Sequence, residues 1–320
     1  MSLQPARSAD SRSPAPALTG AHLDATGAAD GQPPDAAAPA GAHHEDAAEG
    51  GLRRLAVTFA RLRARRELGL FPYLMAGFPD AATSHALAQA ALEAGADGFE
   101  IGVPFSDPLA DGTTMQRANA KALAGGATLQ TAFDLVHTIR QHSSSVPAVL
   151  MSYYNPIRQR GEADFAAALQ QAGADGVIVP DLPPEEAGDL QAALQARGLA
   201  LVPFLAPTSP EARIRAVAAL APGFIYCVAL VGVTGARSDL SATLGDFLGR
   251  VRAQTDAPLV IGFGISQPAH LERVAALGAD AAIVASALTD LVERSSEEPV
   301  AAARAYLAEL KATTRGPVVR

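Results

Sequence analysis

One short pattern occurs three times in this chain, each time between a helix-like run and a strand-like run. Ala94-Gly95-Ala96-Asp97-Gly98 precedes Phe99-Glu100-Ile101. Ala172-Gly173-Ala174-Asp175-Gly176 precedes Val177-Ile178-Val179, and Leu277-Gly278-Ala279-Asp280-Ala281 precedes Ala282-Ile283-Val284. Each copy reads as a helix ending at a glycine, a tight turn, and a short strand apolar on both faces. A helix that repeatedly feeds a doubly buried strand is the mark of a parallel sheet with crossover helices on its faces.

Counting such strand-like runs gives eight, near 70–76, 98–103, 147–152, 176–180, 200–205, 223–229, 258–262 and 281–285. Helices are predicted over Thr83–Glu93, Leu129–Gln141, Ala163–Gln171, Pro184–Ala196, Pro210–Ala219, Leu240–Arg252, Pro268–Leu277 and from about Pro299 to Leu310. A further helix begins near Leu52, where Leu52, Leu55, Phe59 and Leu62 recur at helical spacing. Eight strands alternating with helices over about 250 residues make a (β/α)8 TIM barrel, an α/β fold. An open doubly wound sheet is the alternative, but it has fewer strands and a glycine-rich turn after the first. The expected barrel spans residues 51–320. Residues 1–50 are rich in Ala, Pro, Gly, Asp and Ser without apolar period, and are expected to be a disordered extension.

Composition narrows the function. A net charge of -8 argues against nucleic acid or an anionic membrane as partner. No apolar run approaches the roughly 18 residues that span a bilayer. Cys227 is the only cysteine, so no internal disulfide forms, and a reducing, cytoplasmic setting is expected.

In a barrel the working groups sit at the C-terminal strand ends and in the loops that follow. No histidine falls there, and neither Lys121 nor Lys311 does, which disfavours Schiff-base and lysine-anchored pyridoxal chemistry. No cluster has metal-ligand spacing, so no metal is expected. Carboxylates and tyrosines remain. Glu100 stands out, because a charged group in an apolar run costs several kcal/mol unless paired or put to use. Such a set suits acid–base chemistry on an uncharged, aromatic group. Gly262-Phe263-Gly264-Ile265-Ser266 and Val284-Ala285-Ser286-Ala287 close the last two strands, where glycines and a helix N-terminus can cradle phosphate. Val231–Ala236 is glycine-rich and long enough for a lid. Plainer readings stay open: Glu100 as a structural carboxylate facing an arginine, Asp111 as part of a capping turn before Thr113 and Gln116, Tyr226 and Cys227 as core, and Asp181 as a buried support.

With these residues assembled, the chain resembles the tryptophan synthase alpha chain family. The resemblance rests on Glu100–Gly112 (EIGVPFSDPLADG), Met151–Pro156 (MSYYNP), Val179–Glu186 (VPDLPPEE), Gly232–Gly235 (GVTG), Gly262–Ser266 (GFGIS) and Ser286-Ala287, in order over about Leu52–Leu310. It implies retro-aldol cleavage of indole-3-glycerol phosphate to indole and glyceraldehyde 3-phosphate. Glu100 then matches the glutamate that moves the protons, Asp111 the aspartate that binds the indole N–H, and Tyr226 a tyrosine beside the glutamate. Tyr73, Tyr153, Thr234 and Phe263 match pocket-lining positions, and Gly235, Gly264, Ala285 and Ser286 the phosphate cradle. Many members have glycine where this chain has Ala285, and some a polar residue where it has Leu230. The resemblance also implies a beta chain partner that carries pyridoxal phosphate, in an alpha2-beta2 heterotetramer, with Asp107, Pro108, Asn155 and Pro183 on the face toward it. No cofactor is expected in this chain. A stand-alone indole-glycerol-phosphate lyase and a non-catalytic allosteric subunit that binds a phosphorylated ligand are the alternatives.

Overall fold

The computed structural model describes residues 50–228, 237–262 and 264–314. The extension over 1–50 thus lies, except for Gly50, outside the described residues. So do Leu230, the 231–236 segment with Thr234 and Gly235, and Phe263.

The chain enters as α1 (Leu52–Arg65) and then alternates: β1 (Gly69–Met75), α2 (Ala81–Glu93), β2 (Phe99–Gly102), α3 (Thr113–Ala124), α4 (Leu129–His142), β3 (Ala148–Met151), α5 (Tyr154–Arg160), α6 (Glu162–Ala172) and β4 (Gly176–Ile178). A short 3-10 turn (Pro184–Glu186) leads to α7 (Gly188–Gln195), β5 (Ala200–Val202), β6 (Phe204–Leu205), α8 (Glu211–Leu220) and β7 (Ile225–Val228). The chain closes with α9 (Arg237–Arg252), β8 (Leu259–Gly262), α10 (Pro268–Ala276), β9 (Ala281–Val284), α11 (Ser286–Arg294) and α12 (Pro299–Thr313).

All pairings are parallel, in the order β5-β4-β3-β2-β1-β9-β8-β7-β6. The two outer members, β5 and β6, are halves of the single run expected over 200–205. Pro203 divides them because it has no N–H for a ladder. Its carbonyl still accepts the Tyr226 N–H at 2.9 Å, so the chain itself closes the barrel through that residue. The nine assigned strands therefore make the eight-stranded barrel. Other departures are local. The helix expected over Pro184–Ala196 is divided at Ala187. Three helices replace stretches read as loop or left open: α3, α5 and α11. The capping box suggested at Thr113 and Gln116 does not form. Gly112 is the N-cap of α3, and the Gln116 side chain donates to the Asp111 carbonyl at 3.0 Å.

The repeated Gly-Ala-Asp has a structural meaning at the barrel floor. Gly95, Gly173 and Gly278 take the left-handed backbone (φ 89, 83 and 87°) that ends each helix. The three aspartates are buried, and each accepts the N–H at the start of a neighbouring strand. Asp97 takes Leu70 (3.0 Å), Asp175 takes Ala148 (2.7 Å) and Asp280 takes Leu259 (2.9 Å). Helix α1 crosses below and gives one arginine to each: Arg61 to Asp97, Arg54 to Asp175 and Arg63 to Asp280. Its apolar side sends Leu55, Phe59 and Leu62 inward, with the Phe59 ring 5.9 Å from Phe71 and 5.8 Å from Phe224. The floor is therefore sealed, and the opposite end is left for chemistry.

Candidate active site

At the C-terminal end of the barrel, a cavity of about 200 Å³ is lined by Tyr73, Glu100, Asp111, Met115, Tyr226, Gly264, Ile283, Ala285 and Ser286, among others. Its walls come from seven elements and the loops after them, residues more than 200 positions apart in sequence.

Glu100 is the second residue of β2 and points into the cavity from a fully paired strand, in register with Tyr73 of β1 and Val149 of β3. It is only 4% exposed, and its Oε2 is buried without a hydrogen-bond partner. A buried carboxylate would be costly in that state, so the carboxyl holds its proton. Burial, then the nearby Asp111, push its pKa up to about 8. Asp111 sits in the loop between β2 and α3. Burial raises it to about 6, opposed by hydrogen bonds from Asn119 and Tyr153. Near neutrality one carboxyl is protonated and the other ionised, the division of labour that acid–base chemistry needs.

Tyr73 and Tyr226 flank the pair, both buried, and burial raises both phenols well above their usual range. Two glycines make room for them. A Cβ on Gly102 would fall 1.8 Å from the Tyr73 Oη, and one on Gly262 would fall 2.0 Å from the Tyr226 Oη. Each hydroxyl thus occupies space that any other residue would fill.

The side of the cavity where a phosphate cradle is expected is built by Gly264 and by α11. Helix α11 starts at Ser286 with Ala285 as N-cap, has no side-chain cap and carries no acidic residue in its first turn. Its first N–H groups and dipole face the cavity mouth, a favourable place for an anion. Ala285 has φ -112°, so its methyl group is accommodated without left-handed backbone.

The other expected site residues lie elsewhere. Tyr153, the N-cap of α5, lies outside this cavity and lines an adjacent cleft with Phe105, Asp107, Leu109, Ala110, Asn155 and Asp181. Its ring stacks on Phe105 at 5.1 Å and its hydroxyl accepts the Ala110 N–H at 2.9 Å. Asp181 is exposed rather than buried and accepts the Tyr154 N–H at 2.9 Å, fixing the start of α5. Asp107 and Asn155 share that cleft, beside Pro108. Pro183 lines a neighbouring cleft of about 500 Å³ with Phe204 and Leu220, which does not include Glu100. Cys227 is fully buried within β7 and its thiol is pushed up to about 12 by burial. Asn119 went unnoticed in the sequence. It is buried on α3 and donates to Asp111 Oδ2 at 3.0 Å.

A family model described as the tryptophan synthase alpha chain matches residues 59–315. The chain belongs to the tryptophan synthase alpha chain family. The alpha chain of Chloroflexus aurantiacus is 50% identical over 267 residues, covering 83% of this chain and all of that one. That of a Roseiflexus species is 53% identical over 244 residues, covering 76% and 93%. Among solved structures, the alpha subunit of Legionella pneumophila superposes with a TM-score of 0.76 at 34% identity, covering 82% of this chain and 98% of that one. A ligand-free tryptophan synthase of M. tuberculosis reaches 0.74 at 34% identity, covering 82% and 99%. As a member, the chain is a carbon–carbon lyase of tryptophan biosynthesis that cleaves indole-3-glycerol phosphate to indole and glyceraldehyde 3-phosphate. Among the described residues, no helix is long and apolar enough to cross a membrane.

Proposed function

We propose that Glu100 carries out the proton transfers of this cleavage while Asp111 holds the indole ring and the α11 N-terminus holds the phosphate. The neutral Glu100 gives its proton to indole C3, which turns the ring into an electron sink. It then takes the proton of the C3' hydroxyl. The C3–C3' bond breaks, its electron pair returns to the ring, and the hydroxyl carbon becomes the aldehyde of glyceraldehyde 3-phosphate. One proton is given and one taken, so the glutamate ends as it began. Ionised Asp111 accepts the indole N–H and offsets the positive charge that grows there. Tyr226 and Tyr73 pack beside the glutamate, Tyr153 braces the loop that carries Asp111 from the adjacent cleft, and Thr234 and Phe263 are assigned to substrate binding from the family resemblance. Gly264, Ala285, Ser286 and Gly235 take the phosphate. Neither metal nor prosthetic group is assigned to this chain.

The observation that carries this reading is the buried, unpartnered Glu100 oxygen in the same cavity as Ser286 and Gly264. The family implies a beta chain as partner. We place that partner, with its pyridoxal phosphate, against Asp107, Pro108, Asn155 and Pro183 in an alpha2-beta2 heterotetramer in the cytoplasm. The exposed Leu109 in the same loop supports an interface there. The test is indole formation by the purified chain with and without a beta chain. Slow cleavage alone and stimulation by the beta chain are expected. Full turnover without it would favour a stand-alone lyase, and none in either case would favour a purely regulatory chain.

A further inference from the structure

Asn119 is in the second turn of α3, eight residues after Asp111, and is 2% exposed. An asparagine offers one acceptor oxygen and two donor hydrogens. Here Oδ1 accepts the Phe105 N–H at 2.9 Å. Nδ2 donates to Asp111 Oδ2 and to the Met115 carbonyl, both at 3.0 Å. The surroundings dictate the amide orientation. Turned over, it would face an N–H with an NH2, and a carboxylate and a carbonyl with an oxygen. One side chain thus ties both ends of the loop between Phe105 and Asp111 to the helix that follows. No aspartate, serine or leucine can make the same three bonds.

We propose that Asn119 is the positioning residue of the reaction: it fixes the loop across Phe105 and aims the Asp111 carboxylate, as an acceptor, at the indole N–H. The inference rests on the role given to Asp111 above. Among the described residues, the other titratable groups facing Asp111 are Glu100 on β2, Tyr73 on β1, Tyr153 before α5 and Tyr226 on β7. None of them is a cation. The Asn119 carboxamide and the Tyr153 hydroxyl are therefore the neutral donors that favour the ionised carboxylate.

The experiment uses the full chain and four proteins: wild type, Asn119→Ala, Asn119→Asp and Asp111→Asn. It measures the pH dependence of kcat/KM for indole formation and, separately, the affinity for inorganic phosphate. Asn119→Ala is expected to lower kcat about 10–100-fold, the range for loss of a hydrogen bond to a charged group. It should also move the acid limb up by about one pH unit. Asn119→Asp keeps the shape, so it serves even if the alanine variant folds poorly. Its two carboxylates must share a proton, and the acid limb should rise further. Phosphate affinity should stay within about twofold in both. An unmoved acid limb with kcat within threefold in both variants overturns the proposal, as does phosphate affinity that falls in step with kcat. Asp111→Asn separates the two levels. If it is inactive while the Asn119 variants are unaffected, only this inference fails. If it is fully active, the role given to Asp111 fails first.

Discussion

Burial separates two carboxyls that would otherwise titrate together. Glu100 is raised to about 8 and Asp111 to about 6. The proposed proton transfer needs Glu100 protonated, so activity is expected to fall as pH rises through about 8. It needs Asp111 ionised, so activity is lost as pH falls through about 6. A bell-shaped kcat/KM profile centred near 7 is expected from indole release across pH 5–9, and a flat profile would contradict the assignment. The same burial weighs on stability. A carboxyl whose pKa is higher folded than unfolded contributes stability below its unfolded value, and this is lost as pH rises through the folded one. From 4.5 to about 8 that amounts, at pH 7, to a rough ceiling of about 3 kcal/mol. Glu100→Gln is therefore expected to raise the melting temperature at pH 7–9 and to leave it unchanged near pH 4. Glu100 was legible in the sequence because a lone acid in an apolar strand breaks the pattern. Asn119 was not, because a polar residue on an amphipathic helix looks like surface until the loop folds back onto it.

At the level of elements, α3 links the two halves of the site. It holds Asp111 through Asn119, while Met115 receives the Thr289 hydroxyl and Arg117 pairs with Asp290 and Glu293 on α11. The Arg117 pairs are exposed, so Arg117→Ala should hardly change the melting temperature or indole formation. The start of α11 should behave otherwise. Ser286→Asp puts a negative charge where the phosphate is proposed to bind and is expected to raise KM by more than about tenfold with the melting temperature nearly unchanged. Ala285→Gly, at a negative φ that does not call for glycine, should alter KM by less than about threefold. The strands were legible from their apolar runs and glycine stops. The break at Pro203 was hidden inside such a run, since proline adds to apolar character while removing the N–H that a ladder uses. Helix α5 was hidden for a related reason: its first turn is Tyr154-Asn155-Pro156, turn-like residues held by Asp181 from the loop after β4.

Across the whole molecule, the two ends of the barrel do different work. The floor holds three aspartates from one repeated motif, clasped by three arginines of α1. Asp175→Ala would leave Arg54 and Arg140 buried without their partner, a loss of about 3–5 kcal/mol. Chemical denaturation should show that loss while kcat at 25 °C stays near wild type, because Asp175 lies at the opposite end from Glu100. The repeat made the barrel legible. Its aspartates were not read as clasps, since their partners come from α1 and from helices far along the chain. The open end carries the chemistry, and there the account depends on one proton carrier. The most direct measurement is single-turnover indole formation from indole-3-glycerol phosphate by Glu100→Gln at pH 7, with phosphate affinity checked in parallel. A fall on the order of 10²–10⁴-fold with phosphate binding intact is expected. Cleavage at the wild-type rate would show that another group moves the protons.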